Sequence, residues 1–306
     1  LKSTAFLAIL FVILSLLANV FTPKNTPASI GDEPANTLDY IVFGDSECYT
    51  SISPMELWKA YGYAGYNCGV SSQRIQVTYY QLEKVLRYQS PRVVLLETNL
   101  LHRSLSYKQA VDEFVDHYVG ENFPLYEYHN EWKKLISGGG EVKKVRNESN
   151  IFKGWGYNAN ITPYTGGPYI NETTNIQEIG ATQLYYMNKI VALCKKHSIR
   201  LILYCVSSPI NWSYPRHNAV VKYAAENNLP FLDLNLKAGE LAIDWTHDTY
   251  DKGDHLNFFG SRKVTNYIGA YLHQNTEMTD HRQDKNYAAW NEKLQAYEER
   301  INQKRN

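Results

Sequence analysis

A short polar motif after an apolar run contains a residue type that can act as a nucleophile. Gly44-Asp45-Ser46 directly follows the run YIVF at Tyr40–Phe43. A nucleophilic serine needs an exposed hydroxyl on a rigid turn, and a strand that ends in glycine supplies that geometry. All three residue types also favour ordinary turns. Ser46 is therefore a candidate nucleophile that needs a base from elsewhere in the chain.

A second motif, DKGDHLNFFGSRKV at residues 251–264, contains a candidate base. His255 lies in a polar stretch before a helical pattern, with Asp251 and Asp254 close to it in sequence. A histidine that acts as a general base is oriented by a carboxylate, and this motif contains both residue types. The same residues also fit a histidine near the start of a helix that is capped by aspartates.

Two further residues could donate hydrogen bonds to an oxyanion. Gly69 follows the short run Tyr63–Cys68, and Asn99 follows an apolar run at residues 92–96. A tetrahedral oxyanion must be met by preorganised donors, and a backbone N–H together with an asparagine amide can provide two of them.

The positions of all these residues depend on a predicted sheet. Short apolar runs alternate with amphipathic helical patterns, which predicts an α/β fold with a parallel sheet and helices on both faces. Ligands bind such sheets at the carboxyl ends of the strands. The predicted strands are residues 40–43, 92–96, 201–206 and 231–234, and the helical patterns include residues 75–86, 184–194 and 217–227. Residues predicted to bind substrate after the third run are Ser207, Ser208 and Asn211.

In chain order, four of these motifs resemble the blocks that define the SGNH (GDSL) hydrolase superfamily. They are Ser46 in GDS, Gly69 in NCGVSSQ, Asn99 in ETN and His255 in DHLN, and the resemblance covers roughly residues 38–275. It implies a flavodoxin-like three-layer α/β/α sandwich and a Ser–His–Asp mechanism without metal or cofactor. Ser46 would be the nucleophile and His255 the base. The N–H groups of Ser46 and Gly69 and the Asn99 amide would form the oxyanion hole.

The sequence departs from the superfamily pattern at the acid. The superfamily usually has aspartate three residues before the histidine, and that position is Lys252 here. A one-residue insertion would leave Asp251 in the role, which we favour. Asp254 and a dyad without an oriented acid remain alternatives. The block at Asn99 also reads ETNL, where soluble esterases commonly have GTND, so soluble-esterase substrates are not implied.

The N-terminal segment suggests attachment to a membrane. Residues 5–21 are apolar except for Ser15 and Asn19, near the lower end of the ~17–25 residues that span a bilayer. A signal peptide is the alternative, but no small-x-small cleavage site follows. We therefore predict an anchor at residues 1–24, a linker at 25–37, an SGNH-like domain at 38–275 with an insertion at 121–180, and a charged helical tail at 276–306.

Composition limits the classes of ligand. Lysine plus arginine equals aspartate plus glutamate at 31 each, which argues against binding to nucleic acid. The 25 tyrosines and 6 tryptophans suit surfaces that stack against sugars, although ordinary packing accounts for most of them. The four cysteines lack metal or redox spacing, and a Cys48–Cys68 disulfide remains open.

These features together favour an extracytoplasmic enzyme that acts on a cell-surface glycan. Within the superfamily, the chain resembles membrane-anchored bacterial members related to the teichoic-acid D-alanylation protein and to cell-wall polysaccharide O-acetyltransferases. Several of these relatives work with a membrane-bound O-acyltransferase partner. The sequence thus predicts a single-pass membrane O-acyltransferase or O-acetylesterase. The alternatives are a general carboxylesterase or lipase, and a catalytically silent protein that binds glycan.

Overall fold

Five short parallel strands form one sheet, with the order β2-β1-β3-β4-β5. The strands are β1 (Tyr40–Phe43), β2 (Gly65–Asn67), β3 (Val93–Glu97), β4 (Arg200–Cys205) and β5 (Phe231–Asp233). This order is that of a flavodoxin-like doubly wound sheet, in which the direction of winding across the sheet reverses between β1 and β3. The predicted parallel α/β fold is confirmed, and the four predicted strands lie within one residue of their observed bounds.

The computed structural model describes residues 2–21, 30–122 and 151–305, and the chain divides into two units. The larger unit, residues 28–105 and 147–306, contains the sheet. Its helices are α2 (Ser46–Ser51), α3 (Pro54–Tyr61), α4 (Ile75–Val85), α6 (Ala181–Lys196), α7 (Tyr214–Asn227), α8 (Ala238–Leu241), α9 (Phe258–Asn275) and α10 (Ala288–Arg305).

The smaller unit comprises residues 1–27 and 106–146 and contains α1 (Lys2–Phe21) and α5 (Tyr107–Asn122). Side chains at several positions of α1, among them residues 17–20, are outside what the structure describes. Among the residues that are fully described, no helix is long and apolar enough to cross a bilayer. The anchor at residues 5–21 stays a prediction. The predicted linker falls partly outside the described residues, and the insertion does so at residues 123–150.

The sheet is buried because helices cover both of its faces. All residues of β1 and β3 are buried, as expected for parallel strands packed on two sides. On one face, Tyr40 and Val42 join a core with Leu57 of α3 and Ile268 of α9. On the other face, α4 packs against α6. This arrangement corresponds to the three layers that the sequence analysis expected.

The charged C-terminal helix is part of this core, whereas its sequence suggested a polar surface helix. In α10, the side chains of Trp290, Tyr297 and Ile301 are buried. Trp290 packs on Trp58 of α3 with ring centroids 5.0 Å apart, and the Lys153 ammonium lies 4.1 Å from the Trp290 ring. The low overall hydrophobicity of the segment concealed its narrow apolar face.

We expect Trp290→Ala to lower the free energy of unfolding by about 3–5 kcal/mol, because it leaves a cavity between α3 and α10. Urea denaturation followed by circular dichroism measures the change. Gln295→Ala, on the exposed face of the same helix, is the matched control and should change stability by less than about 0.5 kcal/mol. If Trp290→Ala changed stability as little as the control does, the Trp290 ring would contribute no packing energy between α3 and α10.

Candidate active site

Ser46 lies at the point where the chain leaves β1 and begins α2. Asp45 caps this helix, since its Oδ1 accepts a hydrogen bond from the Glu47 N–H at 3.1 Å. As the first residue of α2, Ser46 has an N–H that no intrahelical carbonyl can accept. Ser46 is partly exposed while its neighbours Asp45 and Glu47 are buried. The turn therefore presents both the hydroxyl and the N–H of Ser46.

His255 is held by Asp251, which lies four residues earlier. The Nδ1 atom of His255 is 2.6 Å from Asp251 Oδ2, and its backbone N–H donates to Asp251 Oδ1 at 2.7 Å. Asp254 Oδ2 is 3.7 Å from Nδ1, and its Oδ1 accepts a hydrogen bond from the Asn211 amide. The geometry thus favours Asp251 as the orienting carboxylate.

The extra residue in this loop is accommodated by left-handed backbone. Lys252 has φ 64° and Gly253 has φ 89°. Such a conformation is uncommon for a residue with a β-carbon. The Gly253 N–H donates to Thr249 Oγ1 at 2.8 Å, and the same hydroxyl donates to the His255 carbonyl at 2.8 Å. Thr249 therefore closes the loop that allows Asp251 to reach His255.

The other ring nitrogen of His255 is available for proton transfer. Its Nε2 is buried and has no hydrogen-bond partner among the described residues. The Tyr250 ring stacks on the imidazole, with centroids 5.6 Å apart and an interplanar angle of 9°. The hydrogen bond from Ser46 to Nε2 is not formed in this structure. Catalytic hydrogen bonds of ligand-free enzymes often tighten only when substrate binds.

Asn99 lies beside the Ser46 turn because β3 pairs with β1. Asn99 is the second residue after the end of β3, and the residue is 6% exposed. Its Oδ1 accepts from Arg216 Nη1 at 3.1 Å, and its Nδ2 lies 3.4 Å from Asp45 Oδ2. The Nδ2 end is thus only weakly engaged, as an oxyanion donor requires.

Gly69 does not offer the free donor that the sequence predicted. Its N–H donates to Asn67 Oδ1 at 3.0 Å. A β-carbon at this position would lie 2.8 Å from the Tyr49 nitrogen and 2.9 Å from Cys48 Sγ. Glycine is therefore needed for close approach to the Ser46 turn. Among the described residues, donors near this edge include the Ser46 N–H and the Asn99 amide, whose Nδ2 has only the 3.4 Å contact with Asp45 Oδ2.

Ser207 and Ser208, which the sequence predicted to bind substrate, both have buried side chains. The Ser207 hydroxyl donates to the Leu234 carbonyl at 2.8 Å. The Ser208 hydroxyl lies 3.2 Å from the Gly253 carbonyl and 3.0 Å from the Asp254 carbonyl, so it holds the His255 loop. Asn211, which is partly exposed, binds Asp254. Ser208 and Asn211 therefore support the His255 loop, whereas Ser207 ties the end of β4 to the end of β5.

Three buried carboxyl groups surround the base of the Ser46 turn. Oxygen atoms of Asp45, Glu47 and Glu97 lie within 4.8 Å of one another. Arg103 Nη2 is 2.6 Å from Asp45 Oδ2 and balances that charge. Burial, and then the charges of the neighbouring carboxylates, raise the pKa of Glu47 and of Glu97 well above the ordinary value.

In the part of the chain that the structure describes, two groups of side chains have the types that bind metal ions: this carboxyl cluster, and Asp251, Asp254 and His255. In the second group, the Asp251 carboxylate and His255 Nδ1 are already bonded to each other. In the first, Glu47 and Glu97 favour protons and Asp45 is paired with Arg103. Calcium, a hard cation, is usually bound by about six to eight oxygen ligands. In both groups, a metal ion would have to replace partners that the side chains already have.

The described half of the insertion, residues 151–180, runs along the carboxyl edge of the sheet, and we name it the rim segment. It contacts α2 through the Gly156 N–H, which donates to the Tyr49 carbonyl at 2.9 Å. It contacts the His255 loop where the Lys252 N–H donates to the Thr162 carbonyl at 3.0 Å. Gln177 then bonds the start of α7, with its N–H 3.0 Å from the Pro215 carbonyl. The rim segment therefore borders the candidate site on several sides.

An aromatic cleft of about 350 Å³ lies where the rim segment passes the end of β5. The Trp245 ring is 6.2 Å from that of Tyr164 and 5.8 Å from that of Tyr169. Tyr169 donates to Asn235 Oδ1 at 3.1 Å. A β-carbon on Gly253, in the His255 loop, would lie 3.1 Å from the Tyr164 Cβ, so the cleft adjoins that loop.

Sequence reasoning missed several residues of this site. Arg103 and Arg216 follow no recognisable motif, and their contacts are with residues far away in sequence. A local signal exists for Glu47 and Glu97. Glu47 directly follows Ser46, and Glu97 lies two residues before Asn99, at the end of an apolar run. Trp245 and Tyr164 carry no local signal that brings them together.

No family model matches, and no curated protein matches. Solved structures that match include a lipase/acylhydrolase from Enterococcus faecalis, with 12% identity and TM-score 0.41 over 78% of this chain and 98% of that one. They also include a family 3 carbohydrate esterase of Clostridium thermocellum, with 15% identity and TM-score 0.39 over 78% and 96%. A GDSL-like lipase from Bacteroides thetaiotaomicron matches with 14% identity and TM-score 0.37 over 77% and 88%. Similarities at this level do not assign a family or an activity to this chain.

We expect Asp251→Asn to lower kcat/KM for an ester substrate by about 10⁴-fold, because the amide would no longer stabilise the imidazolium. Asp254→Asn should lower it less than about tenfold, since Asp254 lies further from Nδ1. Initial rates of ester hydrolysis measure both. A larger loss with Asp254→Asn would exchange the roles of the two aspartates.

The raised pKa of Glu47 makes stability depend on pH. Because its pKa is raised in the fold, the group keeps its proton to higher pH there than in the unfolded chain, where its ordinary pKa is 4.5. The stability that comes from its neutral form is therefore present below pH 4.5 and is lost as pH rises towards the folded-state pKa, at up to about 1.4 kcal/mol per pH unit. We expect Glu47→Gln to make the unfolding free energy less dependent on pH between 5 and 8. Urea titrations across this range test it, and an unchanged slope would contradict the assignment.

Proposed function

We propose that this chain is an SGNH-type serine esterase or O-acyltransferase that acts on acyl groups of a cell-surface glycan. One observation carries the catalytic part of the proposal. Asp251 holds His255 so that its unpartnered Nε2 is available at the edge of the sheet where Ser46 and Asn99 follow adjacent strands. This set of groups corresponds in type and order to a Ser–His–Asp triad with oxyanion donors.

The reaction would proceed through an acyl-serine. Ser46 Oγ attacks the ester carbonyl while His255 Nε2 takes the hydroxyl proton, and Asp251 stabilises the imidazolium. The negative charge on the carbonyl oxygen is met by the Ser46 N–H and Asn99 Nδ2. The C–O bond then breaks, and the leaving alcohol takes the proton from Nε2. Water or a sugar hydroxyl attacks the acyl-serine by the reverse sequence of proton transfers.

The aromatic cleft supports a glycan as the substrate. Tyrosine and tryptophan rings combine an apolar face with a polar edge, which suits the similarly amphipathic faces of sugar rings. The cleft adjoins the His255 loop, so a sugar bound there could extend towards Ser46. Its volume is within the range of about 300–1,000 Å³ that is usual for small-molecule sites.

Attachment to the membrane by residues 5–21, an extracytoplasmic location and a membrane-bound O-acyltransferase partner are the further parts of this proposal. They are supported by the apolar N-terminal segment and by the resemblance of the motifs to membrane-anchored proteins. A tether favours a substrate that is made at or near the membrane. Conversely, a general carboxylesterase or lipase would have little use for the rim segment with its polar and aromatic residues.

We expect the 306-residue chain to form an acyl-serine with 4-nitrophenyl acetate, and Ser46→Ala to prevent it. Intact-mass spectrometry detects the added acetyl group, and peptide mapping locates it. The Ser46→Ala variant should retain its circular dichroism spectrum, which serves as the control for folding. Persistent labelling of that variant by a fluorophosphonate would remove Ser46 from the nucleophile role.

The fate of the adduct distinguishes the two activities. Faster loss of the acetyl group in the presence of an oligosaccharide, with recovery of acetylated sugar, would establish a transferase. Loss into water at a rate that is independent of acceptor would establish an esterase. A folded wild-type chain that forms no adduct with either reagent would favour the catalytically silent, glycan-binding alternative.

We expect Trp245→Ala to raise KM for an acetylated oligosaccharide by about tenfold, equivalent to ~1.4 kcal/mol of binding, and to raise KM for 4-nitrophenyl acetate much less. The comparison isolates the part of binding that requires a sugar. Tyr185→Ala removes an exposed ring from α6 and is the matched control. Equal changes for both esters would show that the aromatic cleft does not bind glycan.

A further inference from the structure

The orientation of the Asn99 side chain is determined by an arginine from another part of the chain. An asparagine amide has an acceptor end and a donor end, and its partners decide which way it points. Arg216 Nη1 lies 3.1 Å from Asn99 Oδ1. Because a guanidinium only donates hydrogen bonds, this contact is compatible with the oxygen end alone. The Nδ2 end is left for the position where an oxyanion would form.

Arg216 is itself fixed by contacts on both sides. It lies in the first turn of α7, where its Nη1 also donates to the Asn211 carbonyl. Its Nε donates to Gln177 Oε1 at 3.2 Å, and Gln177 belongs to the rim segment. The guanidinium is planar and rigid, and these three partners together restrain its position. The Asn99 amide is therefore held by a group that cannot easily rotate away.

The charge of Arg216 also acts on the amide electronically. A cation at the carbonyl oxygen of an amide draws electron density from its nitrogen and strengthens hydrogen bonds donated by that nitrogen. The nearest competing acceptor for Nδ2 is Asp45 Oδ2 at 3.4 Å, and this carboxylate is already paired with Arg103 at 2.6 Å. The amide is thus prepared to donate to a developing oxyanion rather than to Asp45.

We propose that Arg216 is a positioning residue of the oxyanion hole, which orients and polarises the Asn99 amide through its contact with Oδ1. This inference rests on the proposed function of Ser46 and Asn99. It assigns Arg216 no contact with substrate. It also makes the rim segment, through Gln177, a support of the oxyanion hole as well as a border of the site.

A double-mutant cycle with Asn99 tests the proposal. Removal of an oxyanion donor costs about 10²–10³ in kcat, so loss of its orientation in Arg216→Ala should lower kcat about 10–100-fold, with KM changed less than about twofold. In the Asn99→Ala background, Arg216→Ala should lower kcat by less than about twofold, because the group through which it acts is gone. Arg216→Lys retains the charge and should recover part of the activity.

Two readouts are measured on every variant: hydrolysis of 4-nitrophenyl acetate, and the rate of Ser46 labelling by a fluorophosphonate, whose oxygen would occupy the same oxyanion hole. Lys222→Ala removes a positive charge from an exposed position of α7 and is the matched control. Thermal unfolding by circular dichroism identifies any variant that does not fold. If Arg216→Ala fails this criterion, Arg216→Lys and Arg216→Gln replace it in the cycle.

Three outcomes would overturn the positioning role: losses that multiply in the double variant, a change in KM alone, or a loss that Lys222→Ala reproduces. If the wild type is active and is labelled at Ser46, any of these outcomes in the variants leaves the proposed function intact. A folded wild type that neither hydrolyses the ester nor reacts with the phosphonate would remove the proposed function and the inference together.

Discussion

The parallel pairing of β1 with β3 is the constraint on which the arrangement of the candidate site depends. Tyr40 pairs with Val93 and Phe43 with Leu96, so the two strands end at nearly the same height. Ser46 and Asn99 follow these ends within a few residues and therefore lie side by side. Since β2 and β4 lie on opposite sides of this pair, the direction of winding reverses between β1 and β3, which is where doubly wound sheets bind ligands.

The His255 loop is attached to this edge by hydrogen bonds rather than by strand pairing. Ser208, which follows β4, binds two carbonyl groups of the loop, and Thr249 closes the loop from within. The left-handed residues Lys252 and Gly253 bring the Asp251 carboxylate back to the imidazole. Both the position of the loop and its internal shape are thus determined by buried polar groups. Such networks specify one arrangement when every member is satisfied.

The electrostatics beneath the Ser46 turn follow from burial. Asp45 is paired with Arg103, whereas the pKa values of Glu47 and Glu97 are raised because water is excluded and negative charges are close by. Arg216 on the far side of Asn99 adds a second fixed cation to this edge. Arg103 and Arg216 therefore place two fixed cations near the residues that would meet an oxyanion. Preorganised positive charges of this kind stabilise developing negative charge.

The sequence alone determined the parallel α/β fold, four of the five strands that the structure describes, and the residues that follow those four; β2 was not predicted. Apolar runs bounded by glycine, and helices with 3.6-residue periodicity, are local patterns, and the positions of Ser46, Asn99 and His255 relative to these elements are visible in the chain. The order of the sheet was implied only by the resemblance of the motifs. The choice between Asp251 and Asp254 was left open, because it depends on a left-handed turn at Lys252 that a lysine does not signal.

Only the tertiary structure decided which groups are free to act. It showed that the Gly69 N–H is taken by Asn67, that Ser207 and Ser208 are buried, and that the charged segment of α10 has a buried face. It also brought Arg216 to Asn99, although the two residues are far apart in sequence. The physical reason is the same in each case. The availability of a hydrogen-bonding group depends on every neighbour in space, and contacts between distant segments leave no periodic or local trace in the sequence.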